Sequence, residues 1–306
     1  MMKKLLFLAL ACLSVISCNK LDSIENRTEV KFIVETPEIA VKAFGDGTSA
    51  TDLYYAIYDE TGNLISELSK VDENSKETIN ISTTISTRLV TGNVYSMIFW
   101  ADNAEDVCDV NFTTKMVNFN PTTSNLEEYD AFWAYVEPFT VTGDMTKTVK
   151  LFRPFAQLNI GTNDLADAKL AGVEVTNTKI GVTAPTGMNL VDGTVSQEVK
   201  LTYDFNAIPT NEKFPVEGYD YISMNYLLIG KDKVTADIEF AYSSEEKEYS
   251  RTFTFVPLQR NYRTNIFGSL ITNSVSFNVT IEPAFNEPDY NVDYNETHVG
   301  GSGSAE

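Results

Sequence analysis

The chain has 306 residues, of which 43% are hydrophobic and 22% charged, a composition that predicts two ordinary globular domains and excludes a disordered chain, a collagen and a multi-span membrane protein. Its net charge of -20 disfavours a nucleic-acid partner, because phosphates require a basic surface. The one histidine, His298, provides no histidine-centred triad, metal cluster or general base. We therefore expect no enzyme, no catalytic residue, no metal and no cofactor.

The N-terminus has the features of an export signal. Lys3 and Lys4 precede an apolar run over residues 5–16, which is too short to remain as a membrane-spanning helix. The run ends in Val15-Ile16-Ser17-Cys18, which resembles a bacterial lipobox. This predicts a signal peptide over residues 1–17, lipidation of Cys18 with palmitate among the acyl groups, and an outer-membrane lipoprotein. The alternative is an ordinary export signal with a coincidental cysteine.

Alternation of apolar and polar residues dominates the rest of the chain and predicts an all-β fold. Val30, Phe32 and Val34 alternate with polar neighbours and predict a first strand. A hairpin is predicted from residues 53–58 and 64–68, joined by a turn rich in Asp, Gly and Asn.

Two further features of the pattern predict strands, and one predicts a helix. The nearly continuous apolar run at residues 94–101 predicts a central strand covered on both faces. Residues 234–240 and 249–256 predict a second hairpin. Ser124 and Glu127 have capping-box spacing, and apolar residues through Trp133 follow at helical spacing, which predicts a helix.

Short strands at this spacing predict two tandem β-sandwich domains with short helical insertions. The expected organisation is a signal peptide at 1–17, a tether with the first strand at 18–42, sandwiches at 43–150 and 151–283, and a polar flexible tail at 284–306.

Three other groups of side chains are open to a functional or a structural interpretation. Acidic residues follow the strand that contains Trp100, and we expect a solvated loop rather than a calcium site. Arginines near Tyr262 suggest an anion or sugar site, or alternatively a strand-edge ion pair. Three tyrosines suggest a glycan-stacking platform, although strand aromatics more often pack in cores. The acidic residues are Asp102, Glu105, Asp106 and Asp109, the arginines are Arg260 and Arg263, and the tyrosines are Tyr219, Tyr221 and Tyr226.

The segment Lys42-Ala43-Phe44-Gly45-Asp46-Gly47 resembles the maturation site of the fimbrillins, the type V pilus subunits of Bacteroidales. Residues 53–58, 94–102, 153–160 and 257–268 also resemble strand segments of fimbrillin-like lipoproteins, so the resemblance extends over residues 1 to 283. The sequence departs from the family at Lys42, where arginine is more usual, and this leaves the identity of the processing protease open.

The resemblance implies transthyretin-like sandwiches and assembly by donor-strand exchange. A trypsin-like protease would cleave between Lys42 and Ala43, with Arg27 as the second choice, and would remove the strand that contains Val30, Phe32 and Val34. A strand from another pilus subunit would then fill the groove. The candidate donor has four alternating apolar residues: Val275, Phe277, Val279 and Ile281.

Two alternatives stay open at this point. Residues 275–281 also fit the last strand of the second sandwich, an interpretation slightly favoured over the donor role, and in that case the donor lies in the tail from Tyr290 onward. The protein is interpretable as a structural subunit or accessory adhesin of a surface fimbrium, binding a host or bacterial surface ligand. Alternatively, it is a glycan-binding surface lipoprotein that stays anchored and does not polymerise.

Overall fold

The computed structural model describes residues 26–37, 44–103, 107–245, 247–272 and 277–282. These residues form a nearly all-β fold with several open sheets, which confirms the predicted fold class. No helix in these ranges is long and apolar enough to cross a membrane. The elements are β1 (Arg27–Glu35), β2 (Asp52–Tyr58), β3 (Glu77–Thr78), β4 (Ser82–Val90), β5 (Val94–Asp102), β6 (Cys108–Asn111), β7 (Met116–Phe119), β8 (Phe132–Thr140), β9 (Met145–Lys150), β10 (Phe155–Thr162), α1 (Leu165–Leu170), β11 (Asn177–Asn189), β12 (Val195–Ala207), β13 (Asp220–Leu228), β14 (Val234–Ser244), β15 (Lys247–Leu258), β16 (Arg263–Gly268) and β17 (Phe277–Glu282).

Two sheets from the first half of the chain pack face to face. One has the strand order β4-β1-β9 and the other β3-β2-β5-β8. Side chains that alternate along these strands meet in one apolar core, in which Phe32, Phe99 and Phe139 are in contact. The period-2 pattern of the first strand therefore directs its apolar side chains into a sandwich core.

The second half forms a further sandwich, to which the first half contributes a hairpin. One sheet has the order β13-β10-β16-β17, and the other contains β15, β14, β11 and β12. The hairpin β6–β7 extends the latter sheet, because β7 pairs with the end of β11 at residues 187–189. The predicted boundary near residue 150 falls between β9 and β10, yet this pairing joins the two halves through shared backbone hydrogen bonds.

Strand β5 is buried on both faces. Met97 and Phe99 face the core of the first sandwich, whereas Ile98 and Trp100 belong to an apolar cluster shared with the second half. The continuous apolar pattern at 94–101 thus has the physical origin that the sequence predicted, since each face of β5 packs against a different part of the protein. The second predicted hairpin is also present, as β14 paired with β15.

The helix predicted from Ser124 and Glu127 is wrong. Only residues 127–129 form a single 3-10 turn, and Trp133 lies in β8. Asn125 adopts a left-handed φ of 63°, and its backbone N–H donates to the carbonyl of Met224, 2.8 Å away. Pairing with the second half therefore replaces a helical start. The α-helix that does form, α1, was not predicted.

The hairpin predicted at 53–58 and 64–68 is only partly correct. The turn forms and Leu64 makes an isolated bridge with Tyr58, but residues 66–68 form a 3-10 turn instead of a strand. Strand β2 is paired with β5 and β3 instead. Strand β5 occupies one edge of β2, while β3 pairs only with residues 52 and 53 of the other edge. Leu64 and Lys70 bridge to the rest of that edge, and residues 66–68 are left outside the ladder.

Candidate functional site

Strand β1 lies in the middle of its sheet. It pairs antiparallel with β4 over nine residues and parallel with β9 over six. Val30, Phe32 and Val34 have no exposed surface. Removing β1 would therefore open a slot with β4 as one edge, β9 as the other and an apolar floor.

The apolar face of β1 is its main attachment to the core. Burial of three side chains of this size contributes about 5 to 9 kcal/mol before the cost of ordering the strand. The outward side chains are half-buried or exposed, as at Lys31 and Ile33. At its start, the Thr28 hydroxyl and the Glu29 N–H donate to the Asp144 carboxylate on the protein surface. A replacement strand would need the same alternation to restore this face.

Lys42 and Ala43, the residues of the predicted cleavage site, lie outside the described residues, and so does Cys18. The described chain resumes at Phe44, whose side chain is 9% exposed and whose ring packs edge-on against Tyr221 at 5.1 Å. The next residue, Gly45, donates its N–H to Glu127 Oε1 at 2.7 Å and accepts a hydrogen bond from Arg153 Nη2 at 2.6 Å. The chain is thus held firmly directly after the predicted cleavage site.

Arg153 and Asp130 form a buried ion pair beside Gly45. Arg153 Nε and Nη2 donate to the Asp130 carboxylate at 2.7 to 2.9 Å, and the guanidinium lies over the ring of Phe132. The Arg153 side chain is 2% exposed and that of Asp130 is fully buried. Burial by itself would lower the pKa of Arg153. The negative charge of Asp130 and its hydrogen bonds to the guanidinium have the larger combined effect and keep the pKa of Arg153 above its usual value.

Glu127 completes this network. Its Oε2 accepts a hydrogen bond from the Tyr226 hydroxyl at 2.9 Å, and Oε1 accepts the one from Gly45. Burial raises the pKa of Glu127 to about 8. The polar groups named here bond to one another and to the backbone, so the arrangement fixes residues 44 and 45 in place. We call Glu127, Asp130 and Arg153 the junction network.

Asp102 is buried, not part of the solvated loop expected from the sequence. It is 7% exposed and accepts a hydrogen bond from Trp100 Nε1 at 2.6 Å. Burial raises the pKa of Asp102 to about 7, against the effect of that hydrogen bond. Glu105 and Asp106 lie outside the described residues. Among the residues that are described, no group of three or more acidic, Cys or His side chains could hold a metal ion.

The pKa of Asp102 leads to a pH-dependent stability. The unfolded carboxyl titrates at about 4, so between about pH 4 and 7 the folded chain binds the additional proton and stability falls as the pH rises. Asp102→Asn keeps an acceptor for Trp100 but removes this titration. Urea unfolding should show the variant gaining stability relative to wild type between about pH 4 and 8. A constant difference across this interval would contradict the assignment.

Arg260 forms hydrogen bonds with backbone carbonyl groups and not the strand-edge ion pair that was one of its two interpretations. It donates to the carbonyls of Ile229 and Gly193, and its guanidinium lies over the ring of Trp133. Tyr221 and Tyr226 are 1% exposed and therefore cannot serve as a glycan-stacking platform.

The candidate donor segment maps to the edge of the second sandwich. Val275 lies outside the described residues, and β17 pairs antiparallel with β16. Ile281 is 9% exposed, and Val279 packs against the core of this half. In this arrangement the segment is the last strand of its own sheet, and its donation to another subunit stays a prediction.

Several solved structures are similar to this chain in fold. A candidate polysaccharide-binding protein (DUF1812) from Bacteroides thetaiotaomicron VPI-5482 has a TM-score of 0.50 and 11% identity, over 84% of this chain and 98% of that one. A candidate cell adhesion protein from Bacteroides uniformis ATCC 8492 has a TM-score of 0.50 and 13% identity, over 84% and 99%. A fimbrial assembly protein from Parabacteroides distasonis ATCC 8503 has a TM-score of 0.45 and 13% identity, over 84% and 96%.

These similarities confirm, for the fold, the fimbrillin-like resemblance predicted from the sequence. The chain belongs to a family of unknown function, DUF6562, whose model matches residues 24–300. A search of the curated proteins finds no match.

Proposed function

We propose that this protein is a cell-surface adhesion or fimbrial subunit that is activated by loss of its first strand. The observation that carries this proposal is the position of β1, which lies between β4 and β9 with three fully buried apolar side chains. A strand inserted in this way is continuous with a candidate protease site, and its loss would create a strand-binding slot. The adhesion and fimbrial descriptions of structurally similar proteins are in keeping with this role.

In this proposal Cys18 is the point of attachment to the outer membrane. The lipobox provides export and acylation, and the polar residues after Cys18 form a tether to β1. A trypsin-like protease then cuts after Lys42. Arg27 is the less favourable site, because a cut there leaves all of the buried residues of β1 attached.

The junction network disfavours cleavage further along the chain than Lys42. Phe44 and Gly45 are held by apolar packing and by hydrogen bonds to Glu127 and Arg153, so a protease is expected to have poor access beyond them. The same contacts would hold the new N-terminus in place once the first strand has left.

The sequence of the mature N-terminus tests the proposed processing. We expect material from assembled fibres to begin at Ala43, and Lys42→Ala to leave a lipidated precursor that begins at Cys18 and does not polymerise. The matched control is Arg27→Ala, which should be processed and assembled as wild type. Fibres made of chains that still carry residues 28–42 would contradict the proposal.

We propose that the slot is filled by a C-terminal segment of another subunit. Two segments have the required alternation: residues 275–281, and the tail, where Tyr290, Val292 and Tyr294 repeat the spacing of Val30, Phe32 and Val34. Backbone pairing to both β4 and β9 would add to the apolar contacts.

Two aspartate substitutions distinguish these donors, because a charge buried without a partner disrupts whichever apolar site receives it. Val279→Asp should abolish polymers without changing monomer melting if residues 275–281 are the donor. Lower monomer melting would show instead that β17 belongs to its own subunit. In that case Val292→Asp should abolish polymers and leave the monomer intact. Normal polymers from both variants would exclude a C-terminal donor.

A further inference from the structure

Two exposed phenylalanines line grooves on the protein surface. Phe152 is 49% exposed and Phe255 is 78% exposed, and they are the only aromatic side chains among the exposed large hydrophobic residues of the described chain. Phe152 lines a groove of about 530 Å³, and Phe255 lines one of about 1030 Å³. Asp192, in the turn between β11 and β12, lines both grooves.

The first groove presents three aromatic side chains. Trp133 and Tyr135 are two residues apart on β8 and so face the same side, together with Glu137. Trp133 is held in place from three directions: its backbone pairs with that of Phe152 at 2.9 Å, its Nε1 donates to the carbonyl of Leu190, and Arg260 lies over its ring. The Trp133 ring is therefore positioned before any ligand arrives.

The second groove owes its exposed ring to a β-bulge. Phe255 has a left-handed φ of 57°, a costly conformation for a large side chain, and its N–H donates to Asp237 Oδ1 at 3.0 Å. The register between β14 and β15 shifts at this point, so that two residues of β15 oppose one of β14. The bulge leaves the Phe255 ring exposed to solvent rather than in the core.

The floor of the second groove is shaped by a glycine. Lys200 on β12 and Glu239 on β14 form a surface ion pair at 2.7 Å. These two strands lie on either side of Gly181 in β11, and a Cβ atom on Gly181 would lie 2.9 Å from Glu239 Oε2. Charged side chains of both signs surround the exposed rings, and carboxylates outnumber lysines by six to four. The grooves thus combine apolar ring faces with many hydrogen-bond donors and acceptors.

We propose that the two grooves form one extended binding surface for a neutral polysaccharide. A sugar ring has an apolar face that stacks on an aromatic side chain, and its hydroxyls both donate and accept hydrogen bonds. Phe152 and Phe255 lie in grooves that share Asp192, so they offer separate stacking positions for different sugars of one chain. The excess of carboxylates disfavours a polyanion. A protein interface would instead have few charged residues around its central aromatic residues.

This proposal goes beyond the assembly function and does not depend on cleavage or polymerisation. Native electrophoresis of the purified full chain through gels that contain soluble starch, xylan, galactomannan or laminarin provides the test. Retardation is expected with at least one of these neutral polysaccharides and not with polygalacturonate. Phe152→Ala and Phe255→Ala should each weaken binding about five- to tenfold, and the double variant should weaken it more.

Leu170→Ala provides the matched control, because Leu170 is an apolar residue that is 87% exposed and lines neither groove. It should bind as wild type, and all variants should melt as wild type. Failure of the wild-type chain to be retarded by any neutral polysaccharide would overturn the proposal. Ring variants that bind like the Leu170 control would also overturn it. So would a double variant that loses polymer assembly instead of polysaccharide binding, which would show that the rings contact another subunit.

Discussion

Arg153→Met is expected to lower the free energy of unfolding by about 3 to 5 kcal/mol, because it leaves the carboxylate of Asp130 buried without its partner. Asp130 has no exposed surface, so water cannot replace the lost guanidinium. The substitution also removes the hydrogen bond to the Gly45 carbonyl and so loosens the chain after the proposed cleavage site. Chemical denaturation of the full precursor measures the first effect, and limited proteolysis near Gly45 measures the second.

Lys200→Met is the matched control for this substitution. Lys200 forms an ion pair with Glu239 that has the same 2.7 Å separation, but both side chains are more than half exposed. Such a pair contributes at most about 1 kcal/mol. The double variant Arg153→Met with Asp130→Leu should recover much of the loss, because it leaves no buried charge. Equal losses for Arg153→Met and Lys200→Met would show that burial does not decide the strength of the junction network.

Phe32→Ala is expected to destabilise the precursor by about 3 to 5 kcal/mol, since it leaves a cavity in the first sandwich. Phe32 is fully buried and contacts the rings of Phe99 and Phe139 at centroid distances of 5.9 Å. If maturation removes β1, the same substitution is absent from the assembled protein. We therefore expect a lower melting temperature for the precursor and an unchanged one for assembled fibres.

Ile33→Ala is the control on the same strand, because Ile33 is only half-buried and points away from the core that contains Phe32. It should affect the precursor much less. Fibres that are destabilised by Phe32→Ala would show that β1 stays in the assembled protein. This result would contradict activation by strand removal while leaving the fold assignment intact.

Strands were the part of this protein that could be predicted from the sequence. The first strand, the doubly buried strand at 94–101 and the hairpin at 234–256 follow from the spacing of apolar residues alone. Such patterns are informative because a strand exposes alternate residues to opposite faces, whatever its partners are. The prediction at 64–68 was only partly correct, because Leu64 bridges to Tyr58 but residues 66–68 form a 3-10 turn instead of continuing the strand.

The junction network could not be predicted from the sequence, because the hydrogen-bond partners of its side chains lie in other parts of the chain. Glu127 has capping-box spacing with Ser124, but in the fold its carboxylate binds Gly45 and Tyr226, each more than 80 residues away. The partner of Arg153, Asp130, lies 23 residues earlier, in a segment whose helical pattern was misleading.

The sequence by itself determined the all-β class and the alternating faces of the strands, because each depends on neighbouring residues. Only the tertiary structure decided that β1 is a central strand, that β7 joins the second half, and that Arg153 pairs with Asp130. These features depend on which distant strands share an edge and on which polar groups are shielded together from water. Burial makes such pairings energetically decisive, and burial is set by the assembled sheets rather than by local sequence.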